Sequence, residues 1–107
     1  SDDAARAIIA AAKSEPGTLA VLVVGPPTNL AKAFSLEPLL PGLLRRVVLM
    51  GGSLDGSRLD LNWMTDRGAA RTVLQASVPK IVVPIQTCGQ AVVRRANVNR
   101  FEAKCCP

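Results

Sequence analysis

The 107-residue chain has no histidine and no tyrosine. Without histidine there is no imidazole to activate a cysteine or serine nucleophile, and no Cys/His zinc centre. Aromatic residues are almost missing: Phe34, Trp63 and Phe101 are the whole set. A surface that stacks successive bases on aromatic rings is therefore unsupported. The three cysteines, Cys88, Cys105 and Cys106, are odd in number, and two of them are adjacent. They make no disulfide framework and no CxxC pair, and a reducing compartment is the default expectation. No apolar run approaches the ~20 residues of a spanning helix. The first residues read as a helix rather than as a secretory leader. With no initiator Met, a processed form and a piece of a longer chain both stay open as readings.

What is present is an aliphatic palette. Hydrophobic residues make up 49% of the chain, mostly Ala, Val, Leu and Ile. That composition suits parallel strands buried on both faces by Ala-rich helices. The net charge is +5, with Arg45, Arg46, Arg94, Arg95, Arg100 and Lys104 supplying much of it. A solvated basic face is the ordinary reading. The functional reading is an acidic surface or RNA docked through Arg94, Arg95, Arg100 and Lys104.

Along the chain, Ser1 or Asp2 can cap a helix over 4–13, which Pro16-Gly17 stops. Six apolar residues, 19–24, predict a fully buried strand. Thr28 can cap a second helix that ends near Pro38, and Pro41-Gly42 breaks the next stretch. Residues 47–50 predict a second buried strand, after which Gly51-Gly52 permits a sharp turn. A polar loop follows over 53–58, and Asp66 caps a third helix through 69–74. A third strand is expected over 81–85. Residues 91–107 read as a basic tail or one short helix. Strands alternating with helices give an α/β class: a partial open parallel sheet of about three βα units, occupying 1–90. In such sheets ligands sit beyond the carboxyl ends of the strands. Three loops should converge there: 25–29, 50–62 and 86–90.

Each loop has a functional and an ordinary reading. Thr28 and Asn29 stand at a strand-to-helix junction, fit for an anion, a sugar hydroxyl or a hard cation, or simply for capping. Asp60 and Asn62, two apart in an extended segment, would face the same way and could hold a polyol by paired acceptor and donor bonds. They could equally belong to a solvated turn. Trp63 could line a pocket for a flat ring or plug the core. Cys88 has no base to activate it.

Taken in order, four segments resemble the central part of the inosine–uridine preferring nucleoside hydrolases. They are LAVLVVGPPTNLAKAF (19–34), RRVVLMGG (45–52), DLNWMTDRGAAR (60–71) and PKIVVPIQTCGQ (79–90). The resemblance covers most of 4–90. It implies the fold of that family, and an activity that hydrolyses the N-glycosidic bond of ribonucleosides. There, calcium binds the ribose hydroxyls and a water, and an aspartate is the general base. By position, Thr28 would offer its backbone carbonyl to calcium, Met50 would lie against the ribose, and Asp60 and Asn62 would hold ribose hydroxyls. Asp60 stands where the family usually has glutamate, which withdraws the carboxylate by one methylene.

The family's aspartate-rich N-terminal motif and its C-terminal His-Asp pair have no counterpart in these 107 residues. No catalytic residue is assigned for that reason. Calcium takes six to eight oxygens, so this chain alone is not expected to hold it. Two readings result. The chain is a piece of a nucleoside hydrolase that is inactive alone and whose ribonucleoside site is completed elsewhere. Or it is a degenerate copy kept for its fold, a non-catalytic subunit of a larger protein or ribonucleoprotein assembly. Other protein chains are expected partners in both. A free-standing basic nucleic-acid module is a third reading, without a motif behind it.

Overall fold

Helix α1 (Asp3–Ser14) buries Ala5 and Ala12, and Ile8 and Ile9 pack partly against the same core. Positions 5, 8, 9 and 12 form one helical stripe, which is why this segment is a helix. The structure, a computed structural model, describes residues 2–105, with side chains through residue 100. Ser1 and Cys106, and the side chains of Lys104 and Cys105, lie outside the described residues. Asp2 occupies the cap position of α1 but makes no side-chain cap bond. Its carboxylate pairs instead with the Lys32 ammonium, which holds its pKa below the usual carboxylate value. At the other end Gly17 adopts φ +79° after Pro16, a conformation that favours glycine and turns the chain.

Three strands follow in the expected alternation: β1 (Ala20–Val23), β2 (Arg46–Met50) and β3 (Lys80–Val83). They form one parallel sheet in the order β1-β2-β3, with Val21 opposite Val47 and Val47 opposite Lys80. The expected α/β sheet is thus observed. Helices α2 (Thr28–Leu36), α3 (Leu40–Leu43), α4 (Leu61–Thr65) and α5 (Arg67–Gln75) lie between strands, and α6 (Ile85–Cys88) and α7 (Arg95–Cys105) follow β3. The core joins Val47 and Leu49 of β2 to Leu30 and Phe34 of α2, Val73 of α5 and the alanines of α1. None of the described helices is long and apolar enough to cross a membrane.

Burial corrects the sequence reading in one major respect. The strands are not buried on both faces. Val21, Val23, Val47 and Leu49 face the helices, whereas Leu22 is 66% exposed, Val24 68% and Ile81 46%. The side-chain period of a strand is two, so one face packs against α1, α2, α3 and α5, and the other carries aliphatic side chains into solvent. An unbroken apolar run looks the same whether one face or both are covered.

Smaller corrections have local causes. The third strand ends at Val83, because Ile85 already begins α6 after Pro84. Pro41-Gly42 does not break the chain but sits inside α3, with Pro in the first turn, where its missing N–H has no intrahelical partner to lose. Helix α4 was not expected. It arises because Asp60 caps it. Residues 91–100, including Arg94, Arg95 and Arg100, are all exposed.

Candidate functional site

The carboxyl edge of the sheet is gathered by side chains from the loops. Asn62, in the first turn of α4, points its amide nitrogen at the ends of two strands. Nδ2 lies 3.2 Å from the Val24 carbonyl and 3.2 Å from that of Met50, and 3.1 Å from the Met50 sulfur. An amide nitrogen carries two donors, so the two carbonyls fix which way the amide points. Oδ1 is then left without a bond to the described residues, available to a hydroxyl. Asn62 and Met50 are both half-buried.

Asp60 is 7% exposed and its carboxylate accepts three backbone donors. The Gly52 N–H donates to Oδ2 at 2.8 Å and the Trp63 N–H to the same oxygen at 3.0 Å. The Asn62 N–H donates to Oδ1 at 3.2 Å. Asp60 therefore caps α4 and ties it to the glycine turn after β2. Asp60 is extended, but Asn62 is already helical. The two side chains do not stand side by side in an extended segment, and they serve different partners.

The glycine turn fits a ring. A Cβ on Gly51 would sit 2.0 Å from Trp63 Nε1, and one on Gly52 2.7 Å from the six-membered ring. Gly52 also has φ +79°. The indole of Trp63 thus lies against bare backbone, half-buried, rather than inside the core.

Thr28 does not cap α2. It is the first residue of that helix, whose opening bond runs from the Ala31 N–H to the Pro27 carbonyl at 2.9 Å. Its hydroxyl donates 2.7 Å to Asp66 Oδ2, an ionised acceptor and so a stronger one than a neutral group. Asp66 caps α5 as expected, accepting the Ala69 N–H at 2.9 Å. These two bonds, the backbone one first, keep its pKa below the usual carboxylate value. The Thr28–Asp66 link spans 38 residues and has no signature in local spacing.

Gln86 also escaped the sequence reading. It donates to Ser53 Oγ and to Asp55 Oδ1, each at 2.8 Å, and accepts from the Leu54 N–H at 3.3 Å. Asp55 further accepts from Ser57, through hydroxyl and backbone N–H at 2.6 and 2.9 Å. The Ser57 bonds lower its pKa to about 2. The three loops therefore converge as expected, joined by Asn62, Thr28–Asp66 and Gln86.

Among the described residues no three of Asp, Glu and Cys come together as a metal site. Asp60 and Asp66 both face N–H or O–H donors. Thr28 lies within the helix, where carbonyls turn along the axis into its own ladder. This donor set does not fit calcium, which needs six to eight oxygens.

The sequence model of the family described as "Inosine-uridine preferring nucleoside hydrolase" matches residues 1–105. The pyrimidine-specific ribonucleoside hydrolase RihA of Enterobacter sp. (strain 638) is 32% identical over 93 residues, covering 83% of this chain and 29% of that protein. The putative pyrimidine-specific ribonucleoside hydrolase RihB of Shigella boydii is 28% identical, covering 95% and 44%. Among solved structures, the purine-preferring ribonucleoside hydrolase of Gardnerella vaginalis superposes with a TM-score of 0.79 at 21% identity, covering 92% of this chain and 33% of that one. The inosine-uridine preferring nucleoside hydrolase of Bacillus anthracis gives 0.71 at 20%, covering 94% and 36%. The chain thus spans less than half the length of each of these proteins.

Proposed function

We propose a function from one premise: this chain belongs to the inosine-uridine preferring nucleoside hydrolase family. It supplies one wall of a ribonucleoside site, and N-glycosidic hydrolysis proceeds only where the remaining groups come from elsewhere. The observation that carries this reading is the state of the carboxyl edge. Asn62 has its amide nitrogen anchored on Val24 and Met50 and its oxygen open. Meanwhile Asp60 and Asp66 are taken up by N–H and O–H donors.

On this reading Asn62 Oδ1 accepts a ribose hydroxyl, and Met50 lies against the sugar beside it. Asp60 takes part by fixing the position of Gly52 and of the α4 start. Its three backbone bonds leave about one of its roughly four acceptor sites, on Oδ1, for a hydroxyl. Thr28 is the single position that family resemblance assigns to calcium, and one carbonyl cannot hold that ion. The oxocarbenium-like transition state of this reaction depends on placed charge and a base, neither of which these residues supply.

The isolated chain is expected to release no ribose from inosine or uridine in the presence of calcium. Measurable release above a no-protein control would end this reading.

A second reading has its own observation. The aliphatic face bearing Leu22, Val24 and Ile81 is open, which favours a non-catalytic subunit held in a larger protein assembly. That reading expects stoichiometric co-purification with other chains. A clean monomer in sedimentation would count against it.

A further inference from the structure

Two grooves of about 230 and 420 Å³ meet at Trp63 and Arg67, which line both. Arg58 and Asp60 stand in the smaller groove, while Arg71, Ala70, Leu74 and Gln75 complete the larger. We propose that this joined groove binds a nucleoside monophosphate, its base against the Trp63 indole and its phosphate on Arg67 and Arg71. The site adjoins the Asn62–Met50 wall through Gly52 and Asp60 but is lined by neither Asn62 nor Met50, and it does not depend on that wall being completed.

Three features converge on this ligand. First, Trp63 is a fixed plate. Its ring rests on Gly51 and Gly52, where any Cβ would collide with it. A flat side chain already held in place loses little entropy when a second ring stacks on it, and every base has a face to stack.

Second, the arginines have no ion-pair partner among the described residues. Arg67 and Arg71 are four apart on α5 (Arg67–Gln75), so their side chains lie on one face of the helix. The described ion pairs are Lys13–Glu37 and Lys32–Asp2, and none includes Arg58, Arg67 or Arg71. The acids nearest in the chain, Asp60 and Asp66, are directed into backbone N–H and Thr28 bonds rather than toward guanidinium groups. Guanidinium pairs suit a phosphate dianion through bidentate, charge-assisted bonds.

Third, Ala70 and Leu74 give the larger groove an aliphatic part, beside Gln75. An inorganic anion would leave that surface and the indole unused. An uncharged nucleoside would leave the arginines unused. A base joined to a phosphate uses both.

Trp63 is the only tryptophan and there is no tyrosine, so intrinsic fluorescence reports on the ring of the proposed site. Uridine monophosphate titrated into the chain at low salt is expected to quench that emission saturably. Uridine should bind about tenfold more weakly or worse. The double variant Arg67→Gln/Arg71→Gln, at two exposed positions, should weaken the monophosphate about tenfold. The pair Arg94→Gln/Arg95→Gln, outside the groove, should leave it unchanged. Three results each overturn the proposal: no saturable quench, equal affinity for uridine and its monophosphate, or equal losses from the two double variants. The last would mean that net charge alone attracts the ligand.

Discussion

Asp60 concentrates the structural work of the carboxyl edge in one side chain. It is buried and accepts three backbone N–H groups from two segments. Asp60→Ala orphans all three, and is expected to cost roughly 2–3 kcal/mol in urea unfolding, above an ordinary cap loss. Asp60→Asn keeps one acceptor oxygen and should cost less than Asp60→Ala. Gly51 is constrained by contact rather than by backbone angle. In Gly51→Ala the new methyl would meet Trp63 at 2.0 Å, so the indole must leave its seat. The expected result is a red-shifted tryptophan emission together with a lower unfolding midpoint. Unchanged emission would mean that the ring does not rest on the turn. The glycine pair and the DLNW segment were both visible in the sequence. That one exists to seat the other was not, because 11 to 12 residues separate them and no periodicity links them.

Among elements, the loop over 51–59 is held by polar side chains rather than by a core. Gln86 reaches it from the start of α6 and Asp55 closes it on Ser57. Gln86→Ala should speed amide hydrogen exchange in that loop while leaving β2 protected. The same loop should loosen in acid. The Asp55 pKa is depressed from 3.8 to about 2, so the stabilisation is complete above about pH 4 and is lost as pH falls toward 2. Exchange or limited proteolysis of 51–59 across that window tests it. Sensitivity that instead grows above pH 5 would contradict the assignment to Asp55. The sequence marked 53–58 as polar loop, and the two helices after it came from cap chemistry at Asp60 and Asp66. Asp66 was legible as a cap, standing just before an amphipathic helix. Asp60 was not, since α4 is only five residues long and carries no apolar period of its own.

At the scale of the molecule, surface is the decisive quantity. The chain exposes 7260 Å², where a self-contained protein of 11.2 kDa would expose roughly 5,700 Å². Its radius of gyration is 15.8 Å against about 13 Å for a compact domain of this length. Part of the excess is the exposed stretch 91–100, and part is the open sheet face. Parallel sheets are normally covered on both faces, and contiguous apolar patches mark association sites. The chain is expected to bind a hydrophobic dye and to self-associate as concentration rises. Leu22→Lys with Ile81→Lys should reduce both effects without lowering the unfolding midpoint, because neither side chain contributes to the packed core. A lower midpoint would show that this face is packed in solution.

The amino-acid sequence by itself determined the alternation of strands and helices, the parallel α/β class, and the order of segments that marks the family. Those depend on local apolar runs, turn residues and short motifs, all read within a dozen positions. Only the tertiary structure decided that one sheet face is bare, because an aliphatic run of strand residues is the same whichever side is covered. It also decided that Thr28 serves Asp66, that Asn62 clamps two strand ends, and that Asp60 binds three backbone N–H groups. Side chains choose the strongest partner that folding brings within reach, and those partners lie from 2 to 38 residues away.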